Sequence, residues 1–174
     1  MKSRRKIGVW LVVVVLGAVA GAGSLASPAF AWGRTYDTVI SGVKVHVAWP
    51  EQALSAGSSW TMGPSILHLT DGPGGHLYMT NKHTGAVIWS AGDYPGPNKI
   101  LIFQKDGNLV LYNEGLHAEW ASNTWNKCNG DLEIKALGLQ QDGNFVLYCV
   151  TTKYTPLWST NTWCRSPGSD YCKP

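Results

Sequence analysis

Charge is scarce in this chain, and so is any helical rhythm. Only 14% of the 174 residues are charged, and no window of helical length keeps an apolar face at 3.6-residue spacing, which excludes a helical bundle. A basic surface is missing as well. Of the 14 Lys and Arg, Lys2, Arg4, Arg5 and Lys6 crowd the first six residues, leaving 10 against 11 Asp and Glu in the remainder. The basic pI therefore belongs to the leader, and no basic stripe remains for a nucleic-acid partner. No acid/base pair, no nucleophile beside a base and no metal-ligand spacing is visible, so neither an enzyme nor a bound cofactor or metal is expected. His68, His76 and His83 could be drawn together as a metal site only without any geometry to fix them.

The leader itself reads as a signal peptide, residues 1–31: a basic start, an apolar run from Ile7 to Ala20, and Ala29, Phe30, Ala31 as a small-residue cleavage site before Trp32. An uncleaved anchor is the competing reading, since the uncharged stretch is long enough to span a bilayer. Ser3, Arg4 and Arg5 resemble part of a twin-arginine signal, which leaves the export route open. The expected destination is extracellular. Cys128, Cys149, Cys164 and Cys172 make an even count, as an exported chain with two disulfides would have. Three pairings are open; the local ones, Cys128 with Cys149 and Cys164 with Cys172, close short loops.

What is abundant is glycine, tryptophan and repetition. QKDGNLVLY, from Gln104 to Tyr112, and QQDGNFVLY, from Gln140 to Tyr148, agree at seven of nine positions and start 36 residues apart. A tryptophan follows each, Trp120 and Trp158, and self-similarity at this period marks a repeat architecture. Around the two copies run short alternating segments broken by glycine and aspartate: 43–47, 65–69, 76–80, 86–90, 100–104, 109–113, 133–140 and 145–150. Such spacing predicts an all-β sandwich, barrel or prism. A third, eroded unit lies upstream, ending at Trp89. Aligned from Tyr78 it places Thr70, Gly72, Gly74 and His76 in the motif; a two-residue insertion accounts for it equally well. Trp89, Trp120 and Trp158 are expected to fill the centre of a threefold arrangement. Trp125 and Trp163 are open to two readings, stacking on a ligand or packing between units.

Each intact phrase predicts a hairpin. With residues 105–107 as a three-residue loop and glycine in the left-handed position, Gln104 and Asn108 stand opposite each other. Alternation then gathers Gln104, Asp106, Asn108, Val110 and Tyr112 on one side, with Leu109 and Leu111 on the other. The second copy gathers Gln140, Asp142, Asn144, Val146 and Tyr148. A carboxylate, two amides and a phenol around one valine suit a sugar ring, whose vicinal hydroxyls both donate and accept while its C–H face rests on the apolar side chain. An Asp-Gly-Asn turn by itself would be only a turn; two complete copies beside a degraded one favour sugar binding.

The pattern QxDxNxVxY resembles the mannose-binding signature of the bulb-type (monocot) mannose-binding lectins, as do the W[AS]xN segments after each copy and EQALSAG at 51–57. The resemblance implies a β-prism II fold, three four-stranded antiparallel sheets with pseudo-threefold symmetry, and sites for α-mannose. It implies that the Asp and Asn hold the 2-hydroxyl, the Gln the 3-hydroxyl and the Tyr the 4-hydroxyl, with the Val against the ring carbons. On this reading 51–164 is the lectin domain, 32–50 an N-terminal extension without counterpart in the repeats, and 165–174 a tail. The family's usual disulfide uses a cysteine in a motif turn, where this chain has Gly107 or Gly143, so its plan differs.

The expected partners are mannose-rich glycans bound at two sites, with any membrane contact made only through surface glycans and dimerisation as a further source of avidity. The alternative is a lectin-like bacteriocin or other toxin whose prism binds a cell-surface target.

Overall fold

The computed structural model describes residues 35–71, 76–92, 99–128 and 134–163. The leader 1–31, the tail 165–174, Cys164 and Cys172 lie outside them. The described residues contain strands and no helix. Numbered in chain order, β1 (Thr35–Ile40) and β2 (Val43–Ala48) form an N-terminal hairpin, followed by β3 (Gln52–Ser55). The first repeat unit holds β4 (Ser58–Met62), β5 (Ser65–Leu69), β6 (Leu77–Asn81) and β7 (Val87–Ala91). The second holds β8 (Ile100–Phe103), β9 (Leu109–Tyr112) and β10 (Ala118–Ala121). The third holds β11 (Ile134–Gln140), β12 (Phe145–Val150) and β13 (Tyr154–Ser159).

These strands make three antiparallel sheets, ordered β4-β5-β6-β7, β10-β9-β8-β3 and β1-β2-β11-β12-β13, the expected β-prism II with one sheet widened to five strands. Read backwards along the chain, β4, β3 and β2 supply the fourth strand of the first, second and third sheets. The extension before residue 51 therefore has a counterpart in the other units: β2 pairs with β11, Val47 opposite Gly138 and Val45 opposite Gln140, as β3 pairs with β8.

Alternation decides what faces the axis. Leu67, Leu101 and Leu137 occupy equivalent places on β5, β8 and β11, and Met79, Leu111 and Leu147 on β6, β9 and β12; all are buried in one core. Trp89, Trp120 and Trp158 pack on that core and meet edge to face, with centroids 5.6, 5.8 and 5.4 Å apart. This is the geometry that ring quadrupoles favour, and it places the three tryptophans at the centre as expected. The register slips at the same point of every unit, beside Met79, Leu111 and Leu147. A second, smaller cluster lies on the outer face of the third sheet, where Ile40, Val45, Val47, Ala136, Val146 and Tyr148 are buried together.

Candidate functional site

Both motif hairpins form as the sequence requires. Gln104 N–H donates to Asn108 O at 2.8 Å and Gly107 N–H to Gln104 O at 3.0 Å; Gln140, Asn144 and Gly143 repeat these bonds at 2.8 and 3.0 Å. Gly107 and Gly143 have φ of 88° and 92°, the left-handed region that a side chain disfavours. Space is tight there too: a Cβ at Gly107 would lie 2.9 Å from Cδ of Lys135, so that side chain would have to shift.

The polar residues are brought together with defined roles. Gln104 Nε2 donates to Tyr112 Oη at 2.7 Å, which leaves the amide oxygen as an acceptor and the phenol proton as a donor. Asp106 Oδ1 accepts the Asn108 N–H at 2.9 Å, a local turn bond that orients the carboxylate. Asn108 Oδ1 accepts from the Thr124 N–H at 3.2 Å and from Ser122 Oγ at 3.0 Å. Because a backbone N–H can be met only by the amide oxygen, the Nδ2 group is the arm left to donate to a ligand. Val110 sits between these groups, buried.

The second copy reproduces the set atom for atom. Asn144 Oδ1 accepts from Thr162 N–H at 3.2 Å and Thr160 Oγ1 at 3.1 Å, Asp142 Oδ1 accepts the Asn144 N–H at 3.0 Å, and Gln140 Nε2 donates to Tyr148 Oη. It is more enclosed at the Gln, Asp and Tyr positions, whereas Val146 matches Val110 at 3% exposed and Asn144 is half-buried where Asn108 is buried. Gln140 and Tyr148 are 8% and 4% exposed, whereas Gln104 and Tyr112 are half-buried, and Asp106 is exposed where Asp142 is half-buried. Burial accordingly pushes the Asp142 carboxyl above the usual carboxylate range, against the pull of the Asn144 N–H. Burial, with the Asp142 charge second, raises the Tyr148 phenol.

Four residues of this framework were not singled out by sequence reasoning: Ser122, Thr124, Thr160 and Thr162. Thr124 Oγ1 donates to Gly107 O at 2.8 Å and lies 2.6 Å from Ser122 Oγ, which in turn accepts the Leu109 N–H at 3.0 Å. Thr162 and Thr160 do the same for Gly143 and Phe145, at 2.7, 2.7 and 3.1 Å. The signal was present in the repeated SNTW and TNTW that follow the core tryptophans. Trp125 and Trp163, just beyond, are 58% and 42% exposed. Asn126 N–H donates to Asp106 O at 3.1 Å, and the Cys128–Cys149 disulfide, 21 residues apart, fastens this flank to β12.

The eroded first unit is resolved in favour of an insertion. Thr70 N–H donates to His76 O at 3.1 Å, so five residues replace the three of the other loops. With Met79 opposite Trp89 as Leu111 is opposite Trp120, Tyr78 takes the place of Val110 and Thr80 that of Tyr112. The alignment from Tyr78 to the motif tyrosine is thereby corrected. His68 stacks on Tyr78 at 4.8 Å and meets Thr80 Oγ1 at 2.9 Å, filling the face, and burial lowers its pKa. Among the described residues no group of three His, Cys, Asp or Glu is placed to hold a metal.

A three-sheet prism whose repeated outer faces carry a fixed Asp, Asn, Gln and Tyr around a valine is a β-prism II lectin, a carbohydrate-binding protein and not an enzyme. Among solved structures it is similar to a monomeric monocot mannose-binding lectin from Gastrodia elata, 30% identical over 67% of this chain and 97% of that one, with a TM-score of 0.55. A lectin of Marasmius oreades is 27% identical over 67% and 90%, TM-score 0.54. The mannose-specific agglutinin of snowdrop (Galanthus nivalis), solved with methyl-α-D-mannoside, is 26% identical over 60% and 90%, TM-score 0.50. No protein-family model and no curated protein matches the chain. The chain belongs to the bulb-type (monocot) mannose-binding lectin family.

Proposed function

We propose that this is an exported lectin that binds α-mannose units of mannose-rich glycans through the Gln104–Tyr112 face, with the Gln140–Tyr148 face as its second site. The observation that carries the reading is the fixed Asn108 amide, whose Oδ1 is held by Thr124 and Ser122 so that Nδ2 is left to donate, in the same turn as the Asp106 carboxylate that its backbone N–H orients. A donor and an acceptor side by side suit one sugar hydroxyl, and the Gln104–Tyr112 pair offers the same combination to the next two. Val110 receives the ring carbons. The Cys128–Cys149 bridge supports an oxidising destination, and the working unit is taken to begin at β1 and to run through Trp163, after loss of 1–31.

Four or five hydrogen bonds contribute about 0.5–1.5 kcal/mol each, and about 1.5–3 kcal/mol where the Asp106 carboxylate accepts, against several kcal/mol for immobilising the ligand. A single site then binds a monosaccharide near the millimolar level, about −4 kcal/mol. Tighter capture requires several sites on one glycan surface. The test is retention on mannan-agarose with elution by methyl α-mannoside. Retention that survives Asp106→Asn combined with Asp142→Asn would refute the assigned faces.

A further inference from the structure

Taking the two motif faces as sugar sites, we infer that the N-terminal hairpin closes the second one, so that the chain presents an open site at Gln104 and a latent site at Gln140. β1 and β13 are opposite edges of the five-stranded sheet, yet Tyr36 Oη and Tyr154 Oη lie 3.4 Å apart. The two side chains therefore bridge the outer face of the sheet, the face that carries the motif. Tyr154 also meets the motif tyrosine, Tyr148, edge to face at 5.7 Å, and Tyr36 stacks on Trp49 at 5.3 Å.

Beneath this clasp the space is filled. Ile40, Val45 and Val47 from the hairpin are buried against Ala136, Val146 and Tyr148. The place on β11 that corresponds to Ile102 on β8 and His68 on β5 is Gly138. A Cβ there would lie 2.6 Å from Cγ1 of Val45 and 3.4 Å from Cε2 of Tyr148, so Val45 occupies the volume that a side chain takes in the other sheets. A pyranose needs that same apolar surface around Val146.

The first site has neither half of the clasp. Among the described residues its sheet ends at β3, and the position equivalent to Tyr154, counted from Ala118 opposite Tyr112, is Leu116, 71% exposed. The closure is also of a kind that can be undone. Among the described residues β1 is an edge strand, paired with β2 alone, with Val39 exposed, and its tie across the face is a long hydroxyl contact. Asp37 Oδ1 meets His46 Nδ1 at 2.5 Å and adds to the hold on β2.

The experiment is an amide NMR titration of the full-length mature protein with methyl α-mannoside, read at the glycine of each motif turn, with nitration of tyrosines by tetranitromethane as a ligand-free readout. In the wild type the Gly107 signal is expected to shift saturably and the Gly143 signal to stay in place, with Tyr112 nitrated and Tyr148 shielded. Tyr36→Ala and, independently from the other edge, Tyr154→Ala are expected to make Gly143 shift as well and to expose Tyr148. Adding Asp142→Asn to Tyr36→Ala should abolish the new Gly143 response. Saturable shifts at both turns in the wild type, or equal nitration of Tyr112 and Tyr148, overturn the closure while leaving the sugar reading intact. No shift at either turn in any variant, with Tyr148 still shielded until Tyr36 is removed, overturns the sugar reading and leaves the closure standing.

Discussion

Ser122→Ala isolates what the network behind the first site does. The Ser122 hydroxyl is 7% exposed as part of its residue and has three partners, Asn108 Oδ1, the Leu109 N–H and Thr124 Oγ1. It shares two hydroxyl protons with Thr124 for three contacts, so Asn108 Oδ1 is held continuously by the Thr124 N–H and intermittently by Ser122. Removing the hydroxyl strands the Leu109 N–H in the core, at a cost of about 1–3 kcal/mol, and loses about 1 kcal/mol at Asn108. The expected destabilisation is about 3 kcal/mol, or a drop in melting temperature on the order of 10 °C, measured by urea and thermal denaturation followed by tryptophan fluorescence. Freed from one of its two restraints, the Asn108 amide should lose about 1 kcal/mol of ligand interaction, roughly five-fold in mannoside affinity. The control is built into the protein: the second copy has Thr160 where the first has Ser122, so Ser122→Thr should stay within about 1 kcal/mol of the wild type. A Ser122→Ala protein as stable as the wild type, or a Ser122→Thr protein as damaged as the alanine variant, would refute the reasoning.

Replacing Cys128 and Cys149 together by serine frees a 21-residue span and should cost about 3 kcal/mol by the loop-entropy relation, with the larger loss of ligand affinity at the Asp106 turn, which that flank supports; equal denaturation midpoints with and without reductant would contradict it. His68→Phe tests the filled face of the first sheet. Burial holds the His68 imidazole below its ordinary 6.5, so the folded state binds the proton less well than the unfolded chain. The associated stability is present above about 6.5 and is lost as the pH falls through the depressed value. The stability difference between wild type and His68→Phe, followed from pH 7.5 downward, should therefore move against the wild type on acidification, and a difference independent of pH would rule the effect out.

Where the alternation was strict and local, the fold could be read from the residues: β5 and β12 begin and end where the pattern places them, and the three core tryptophans meet. The edge strands were harder. β13 contains Pro156, tolerated because an edge strand needs fewer ladder donors, and β10 is four residues with a register slip. The hairpin loops and the motif set followed from composition and spacing, since Asp-Gly-Asn chemistry is local. The inequality of the two copies did not. It depends on Tyr36 arriving from β1, the added fifth strand, on Val45 of β2, and on a glycine at 138 that leaves room. Likewise the register of the first unit turned on a loop length that two alignments fitted equally, until the Thr70–His76 bond separated them.

The reverse order in which β4, β3 and β2 join the sheets has a kinetic consequence. β4 pairs within its own unit, β3 waits for β8, and β2 waits for β11, almost the whole length of the prism away along the chain. Such non-local pairing is slow, because loop closure must be met before the contacts return anything. During synthesis or export, the first-made strands are thus the last to dock, and they dock only onto a finished third unit. The hairpin acts as a seal on completion: a chain cut short before β11 leaves the second edge of β2 unpaired and the apolar side chains of the hairpin uncovered, exposed to proteases and to other edges.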